Sequence, residues 1–128
     1  MKRPRILIVD DSSVMRKIVE RSLRQAGLEL GDVVEAGNGI EALAAIREGA
    51  FDLILSDINM PAMDGIEFLR QLSTMDGAKG TPVVMVTTEG SETRVVEALS
   101  IGAKGYIRKP FTPDQIKERV SPFLGVLR

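Results

Sequence analysis

Four short runs in the sequence each end on side chains that could take part in metal or phosphate chemistry. The side chains are Asp10 with Asp11, Asp57, Thr87 and Lys109. Three of the runs are strongly apolar and too short for helices, which predicts buried strands. Parallel strands present their carboxyl ends at one edge of a sheet, and open α/β sheets bind ligands there. We therefore expect these side chains to meet in one crevice.

Strand-like and helix-like segments alternate five times along the chain. Strands are expected at residues 5–10, 32–36, 51–57, 83–86 and 105–107. A first helix is expected up to Gly27, because apolar residues recur at helical spacing: Met15, Ile18, Val19, Leu23 and Ala26. Further helices are expected from Asn38 to Gly49, and after Asp64, Ser91 and Thr112. The fourth helix is predicted to bury Val95, Ala98 and Leu99. This order predicts an α/β fold, a doubly wound five-stranded parallel sheet in the flavodoxin-like order 2-1-3-4-5 with five helices.

Length and composition exclude several classes of protein. The 128 residues suit a single domain, 1–128, and the net charge of −1 gives no field that would recruit nucleic acid or a membrane surface. Cysteine and histidine are absent, so disulfides, thiolate catalysis, histidine bases and cysteine-bound zinc are excluded. No run approaches the ~20 apolar residues of a membrane span. We expect a cytoplasmic protein without a DNA-binding module.

The three carboxylates define the chemistry expected at the sheet edge. Asp10, Asp11 and Asp57 could not all remain ionised side by side unless a cation neutralised them. Oxygen ligands favour Mg²⁺, and the ammonium of Lys109 could also contribute. An aspartate can attack phosphorus to form an aspartyl phosphate, and positive charge promotes phosphoryl transfer. The residues therefore indicate phosphoryl chemistry.

At these positions the chain resembles the receiver domains of two-component response regulators, most closely those that stand alone in chemotaxis. The resemblance covers essentially the whole chain. It rests on Asp10-Asp11, Asp57, Met60-Pro61, Asp64-Gly65, Thr87, Tyr106 and Lys109-Pro110.

The resemblance implies a role for each site residue. Asp57 would be the phosphoacceptor, taking its phosphoryl group from a phosphohistidine of a histidine kinase. Asp11, Asp57 and the backbone carbonyl of Asn59 would bind Mg²⁺ directly, with Asp10 acting through water. Lys109 would pair with the phosphoryl oxygens, and its peptide bond to Pro110 would be cis.

The resemblance also implies how the signal leaves the site. Thr87 would hydrogen-bond the phosphoryl group, and Tyr106 would turn inward, reshaping the face of helix four, strand five and helix five. That face would bind a partner such as the flagellar motor switch. Asn59 and Glu89 would tune hydrolysis of the aspartyl phosphate by admitting or orienting water. A phosphatase would be a partner that promotes this hydrolysis. The protein would not be an enzyme beyond phosphorylating itself and slowly losing the group.

Two residues depart from the family pattern. Thr88 stands where a smaller residue is usual, and we expect its β-branched side chain to crowd access to the phosphoryl site and so to change the reaction rates from those of the family. Pro122 lies inside the pattern of the fifth helix, where proline removes a hydrogen bond at a cost of ~3 kcal/mol. We expect this helix to break or kink near Ser121, which would alter the surface on which the family's usual partner docks.

Three alternatives remain open from the sequence. A phosphorelay intermediate would use the same site with a different output. A Mg²⁺-dependent phosphohydrolase with an aspartate nucleophile usually has a second acid two residues later, where this chain has Asn59. A flavodoxin-like FMN carrier would need a phosphate loop after the first strand, where Asp10 and Asp11 would repel phosphate.

Overall fold

A computed structural model describes residues 3–78, 80–88 and 92–124. The strands are β1 (Ile6–Val9), β2 (Val33–Ala36), β3 (Leu53–Ser56), β4 (Val83–Thr87) and β5 (Gly105–Arg108). The helices are α1 (Ser13–Gln25), α2 (Gly39–Glu48), α3 (Gly65–Leu72), α4 (Glu92–Ile101) and α5 (Pro113–Leu124). All strand pairs are parallel, in the order β2-β1-β3-β4-β5. The predicted fold class and strand order are confirmed.

The central strands are buried on both faces of the sheet. Along β1, Ile6 and Ile8 join one apolar cluster, whereas Leu7 and Val9 join the other. The first cluster includes residues of α1 and α5, and the second includes residues of α2, α3 and α4. Successive side chains of a strand point to opposite faces, so an unbroken apolar run requires cover on both sides.

Strand register brings the predicted site residues to one edge. Val9 lies opposite Ser56 in the β1–β3 pair, and the Asp57 amide donates to the Val9 carbonyl at 2.9 Å. At the other side of the sheet, the Lys109 amide donates to the Thr87 carbonyl at 3.0 Å. The residues that follow β1, β3 and β5 therefore leave the sheet together.

Side-chain caps fix where the helices begin. Ser12, Asn38 and Asp64 each accept a hydrogen bond from the amide three residues later. At the start of α5 the bonds are reciprocal, because Gln115 Oε1 accepts from the Thr112 amide and Thr112 Oγ1 accepts from the Gln115 amide. The predicted starts near residues 38, 64 and 112 are confirmed.

The predicted break in α5 and the predicted burial of Leu99 are wrong. Helix α5 continues through Pro122 to Leu124 and does not end or restart at Ser121. Ser121 is buried and donates its hydroxyl to the Lys117 carbonyl at 2.6 Å, which ties the last turn to the preceding one. The proline removes one backbone donor only two residues before Leu124, at the end of α5, where few bonds are lost. Leu99 of α4 is 40% exposed, because only the side of this helix that carries Ala98 packs fully on the core.

Within the described ranges, the helices are all too short and too polar to cross a membrane.

Candidate functional site

An ammonium joins two carboxylates at the carboxyl edge of the sheet. Lys109 Nζ lies 2.7 Å from Asp10 Oδ2 and 3.3 Å from Asp57 Oδ2. The three side chains are 9%, 5% and 12% exposed, respectively. Charges this enclosed require partners, and each of the three has one of opposite sign here. The predicted meeting of strand ends is confirmed for these residues.

Asp11 completes an acidic cluster on the open side of this pair. One carboxylate oxygen from each of Asp10, Asp11 and Asp57 lies within 4.8 Å of the others. Asp11 is exposed, so water and small ions can reach the cluster. A set of oxygen donors of this kind fits Mg²⁺, which binds through a few carboxylates and retains several waters. The cluster could therefore hold a divalent cation.

The loop after β3 fixes the orientation of Asp57. Its Oδ1 accepts from the Ile58 amide at 2.7 Å, and the Gly65 amide donates to the Ile58 carbonyl at 2.7 Å. A Cβ atom on Gly65 would lie 2.2 Å from the Asp57 carbonyl oxygen, so only glycine allows the start of α3 to come this close. Asn59 is exposed and lies in the same loop, two residues after Asp57.

Arg16 of α1 supports the loop after β1 from the other side. Its Nη1 donates to the Asp10 carbonyl at 2.6 Å, and its Nε donates to Glu35 Oε1 at 2.8 Å. Sequence reasoning missed this contact because Arg16 and Glu35 lie 19 residues apart on different elements. The available signal was a basic residue one turn into α1 and an acid on the neighbouring strand β2.

Glu35 receives a second cation from α1, Lys17, whose Nζ lies 2.5 Å from Oε2. The hydrogen bond from Lys17, followed by that from Arg16, lowers the pKa of Glu35 below its usual 4.5. The hydrogen bond and charge of Glu35 in turn raise the pKa of Lys17 above 10.5. The carboxylate is 23% exposed, so solvent screens this triad only in part.

Thr87 ends β4 at the same edge of the sheet as Asp57. It is 1% exposed, and its carbonyl accepts from the Lys109 amide. The Lys109–Pro110 peptide bond that follows is cis, as the resemblance implied. Thr88, which departs from the family pattern, is exposed directly after β4. Its effect on reaction rates stays a prediction.

Tyr106 lies on the edge strand β5 and is 38% exposed. The guanidinium carbon of Arg119, on α5, lies 6.0 Å from the centre of its ring, at the outer limit of a cation–π contact. Both residues line an open cavity of about 590 Å³ between β5 and α5, and Lys109 also lines it. Tyr106 is therefore on the outer surface, outside the acidic cluster.

The predicted site residues thus divide into three groups. Asp10, Asp11, Asp57 and Lys109 are brought together. Thr87 ends β4 and Asn59 follows β3 at the same edge of the sheet, whereas Tyr106 lies earlier in β5 and is partly exposed to solvent. Glu89 lies outside the described residues, so its predicted role has no structural test.

The sequence also matches a known protein family and its members. The model of the response regulator receiver domain family matches residues 6–121. Chemotaxis protein CheY-3 of Vibrio cholerae is 41% identical over 119 residues, which cover 93% of this chain and 90% of that protein.

Solved structures agree with the sequence comparison. Chemotaxis protein CheY4 of Vibrio cholerae superposes with a TM-score of 0.85 at 37% identity, covering 96% of this chain and 100% of that one. The phosphorylated cyanobacterial phytochrome response regulator RcpA superposes with a TM-score of 0.84 at 25% identity, covering 99% and 97%. The fold, the acidic cluster with its lysine, and these matches together show that the chain belongs to the response regulator receiver domains, as a CheY-like member of two-component signalling.

Proposed function

We propose that this receiver domain is a signalling switch in which Asp57 accepts a phosphoryl group from a phosphohistidine of a histidine kinase. The observation that carries the proposal is the convergence of Asp57 with Asp10, Asp11 and Lys109 in one partly open crevice. No other described group of acidic residues has this arrangement of three carboxylates, and this one also has an ammonium in contact with two of them.

The transfer would be a displacement at phosphorus. A carboxylate oxygen of Asp57 forms the new P–O bond, the P–N bond breaks, and the imidazole nitrogen keeps the bonding electron pair. Lys109 would move from its contact with Asp10 toward the phosphoryl oxygens and neutralise part of their charge. The Ile58 amide keeps Asp57 oriented throughout, because it holds Oδ1 from the backbone.

The acidic cluster supplies the ligands for the cation that such a transfer needs. Asp11, Asp57 and the carbonyl of Asn59 would hold Mg²⁺, and Asp10 would contact its waters. The bound ion would supply charge neutralisation at the transferring group. Support comes from the oxygen-only donor set and from the exposure of Asp11, which leaves the ion accessible to water and phosphate.

The output would leave through the surface formed by α4, β5 and α5. Phosphorylation would draw in Thr87 and let Tyr106 turn from solvent into the space beside β4, changing that surface. The chemotaxis proteins among the relatives support a partner such as the flagellar motor switch, in the cytoplasm, with a phosphatase ending the signal. A phosphorelay intermediate would share the chemistry and differ only in this partner.

We further propose that the protein has no catalytic turnover on external substrates. It would phosphorylate itself and lose the group slowly, with Asn59 and Glu89 controlling the access of water. Asn59 has no acid–base function, so the site lacks the second acid of an aspartate-dependent phosphohydrolase at that position.

The proposal is tested by intact-mass spectrometry after incubation with acetyl phosphate. Wild type with Mg²⁺ should gain one phosphoryl group, whereas Asp57→Asn or wild type with a chelator should gain none. Labelling that persists in Asp57→Asn would refute the assignment of the phosphoacceptor. Multiple turnover on a small phosphate ester would instead support a phosphohydrolase.

A further inference from the structure

Arg16 bridges an edge strand and the peptide bond that precedes Asp11. Its guanidinium donates to the Asp10 carbonyl at 2.6 Å and to Glu35 Oε1 at 2.8 Å. Its side chain is 18% exposed, and Glu35 is held from the other side by Lys17. The bridge therefore fixes the plane of the peptide that joins Asp10 to Asp11.

The two acids differ in how their side chains are held. The Asp10 carboxylate accepts from the Ser12 amide at 2.9 Å and from Lys109 Nζ. For Asp11, the described part of the chain offers no hydrogen bond or ion pair to the carboxylate, which is exposed. The direction of that carboxylate thus depends on the backbone from which it projects, and Arg16 holds that backbone.

We propose that Arg16 is a positioning residue for divalent-cation binding, acting through the Asp10 carbonyl to aim the Asp11 carboxylate into the cluster. This inference rests on the proposed function, because it concerns the same cation. Glu35 contributes to this positioning, because it holds the Arg16 guanidinium that donates a hydrogen bond to the Asp10 carbonyl.

The sign of the effect separates positioning from electrostatics. If Arg16 acted only through its charge, neutralising it would remove a repulsion and tighten the binding of a divalent cation, by about fourfold for a single and a double charge ~10 Å apart in water. Loss of positioning acts in the opposite direction. Groups that orient metal ligands typically contribute 10–100-fold to affinity, and for a contact made through the backbone we expect about tenfold weaker binding.

The experiment measures Mg²⁺ dissociation constants by calorimetry for wild type, Arg16→Gln, Arg16→Lys, Glu35→Gln and Lys17→Gln. Arg16→Lys keeps the charge but replaces the planar fork that bonds two groups at once. Lys17→Gln is the matched control, because it removes the neighbouring cation on Glu35 and leaves the Arg16 bond to Asp10 in place. Thermal unfolding confirms that each variant is folded at the temperature of the titration.

The two Arg16 variants should bind Mg²⁺ about tenfold more weakly than wild type, and Glu35→Gln should fall in the same direction by less. Lys17→Gln should bind as tightly as wild type or slightly more tightly. In phosphorylation by acetyl phosphate, Arg16→Gln should need more Mg²⁺ for half-maximal rate while the rate at saturating Mg²⁺ stays near wild type. A higher Mg²⁺ requirement with an unchanged saturated rate distinguishes loss of positioning from general loss of structure, which would lower the saturated rate as well.

Unchanged or tighter Mg²⁺ binding by both Arg16 variants would overturn the inference, provided that wild type binds Mg²⁺ and is phosphorylated on Asp57. Equal weakening in Lys17→Gln would overturn it too, because the effect would then belong to the α1 charges in general. If wild type binds no Mg²⁺, the proposed function fails and this inference fails with it.

Discussion

Replacing Lys109 with methionine removes the cation that joins Asp10 to Asp57. Methionine keeps an unbranched stem of similar length, so the change deletes the charge with little loss of packing. In the wild type, Nζ contacts both carboxylates, at 2.7 Å and 3.3 Å. Lys109→Met leaves two largely buried carboxylates, and Asp11 beside them, without their cation.

The size of the effect follows from the burial of the three side chains, of which at most 12% of any one is exposed. Removing one partner of a buried ion pair typically costs 3–5 kcal/mol. Here Asp10 keeps its bond from the Ser12 amide and Asp57 keeps its bond from the Ile58 amide. We therefore expect the lower end, about 3 kcal/mol, which corresponds to a fall in Tm of roughly 10 °C for a domain of this size.

Mg²⁺ should reverse much of this loss, because the ion can neutralise the same carboxylates. Lys109→Met should therefore gain more stability from millimolar Mg²⁺ than wild type does. The assay is thermal unfolding followed by circular dichroism, in chelator and in Mg²⁺. Lys104→Met is the matched control, since Lys104 is exposed and its side chain makes none of the ion pairs found in the described ranges.

Two results would refute the reasoning about Lys109. A variant as stable as wild type in chelator would mean that the ammonium does not offset carboxylate repulsion. A destabilised variant that responds to Mg²⁺ no more than wild type would mean that the acids and the lysine do not share one cation site.

Three further predictions concern the surroundings of this site. Gly65→Ala should destabilise the fold by at least ~2 kcal/mol in urea unfolding, because its Cβ would overlap the Asp57 carbonyl, whereas Gly105→Ala, with open space around it, should be near neutral. The lowered pKa of Glu35 adds stability that is complete above pH 4.5 and is lost as pH falls through the lower folded-state value, so Glu35→Gln should cost about 1 kcal/mol near neutrality and nothing in stronger acid. Tyr106 is the only tyrosine and tryptophan is absent, so phosphorylation should reduce acrylamide quenching of the intrinsic fluorescence, and unchanged quenching would contradict inward rotation.

The sequence was sufficient to predict the elements that carry the site. Apolar runs that end abruptly on Asp10, Asp57 and Thr87 predicted strand ends, a shorter and less apolar run before Lys109 predicted an edge strand, and alternation with helices predicted a parallel sheet. In such a sheet, strand order alone determines that these ends meet. The convergence of acids and lysine therefore followed from patterns that are local in sequence.

Contacts between elements could not be predicted in the same way. The bond from Arg16 to the Asp10 carbonyl depends on the rotation of α1 over the sheet, which helical periodicity defines too loosely to place a single guanidinium. The same looseness explains Leu99 and Ile18, both at helical spacing and both 40% exposed. Apolar periodicity identifies the buried side of a helix but not how far the cover extends around it.

The predicted break at Pro122 was wrong for a different reason. The cost of an internal proline was assigned without regard to its position in the helix. Near the end of α5 the missing donor affects one carbonyl, that of the exposed Glu118, which water can reach. Val120 packs in the same apolar cluster as residues of β1 and α1, and Ser121 is buried beside it in sequence, so this turn remains helical.

The most direct test of the central claim is to locate the phosphoryl group itself. Wild-type protein is incubated with acetyl phosphate and Mg²⁺, the acyl phosphate is reduced with borohydride, and the digested peptides are sequenced by mass spectrometry. If Asp57 is the phosphoacceptor, homoserine appears at position 57 and replaces no other aspartate, and the signal is lost in chelator. Reduction at a different aspartate, or equal labelling without Mg²⁺, would contradict the claim that this crevice is a magnesium-dependent phosphoacceptor site.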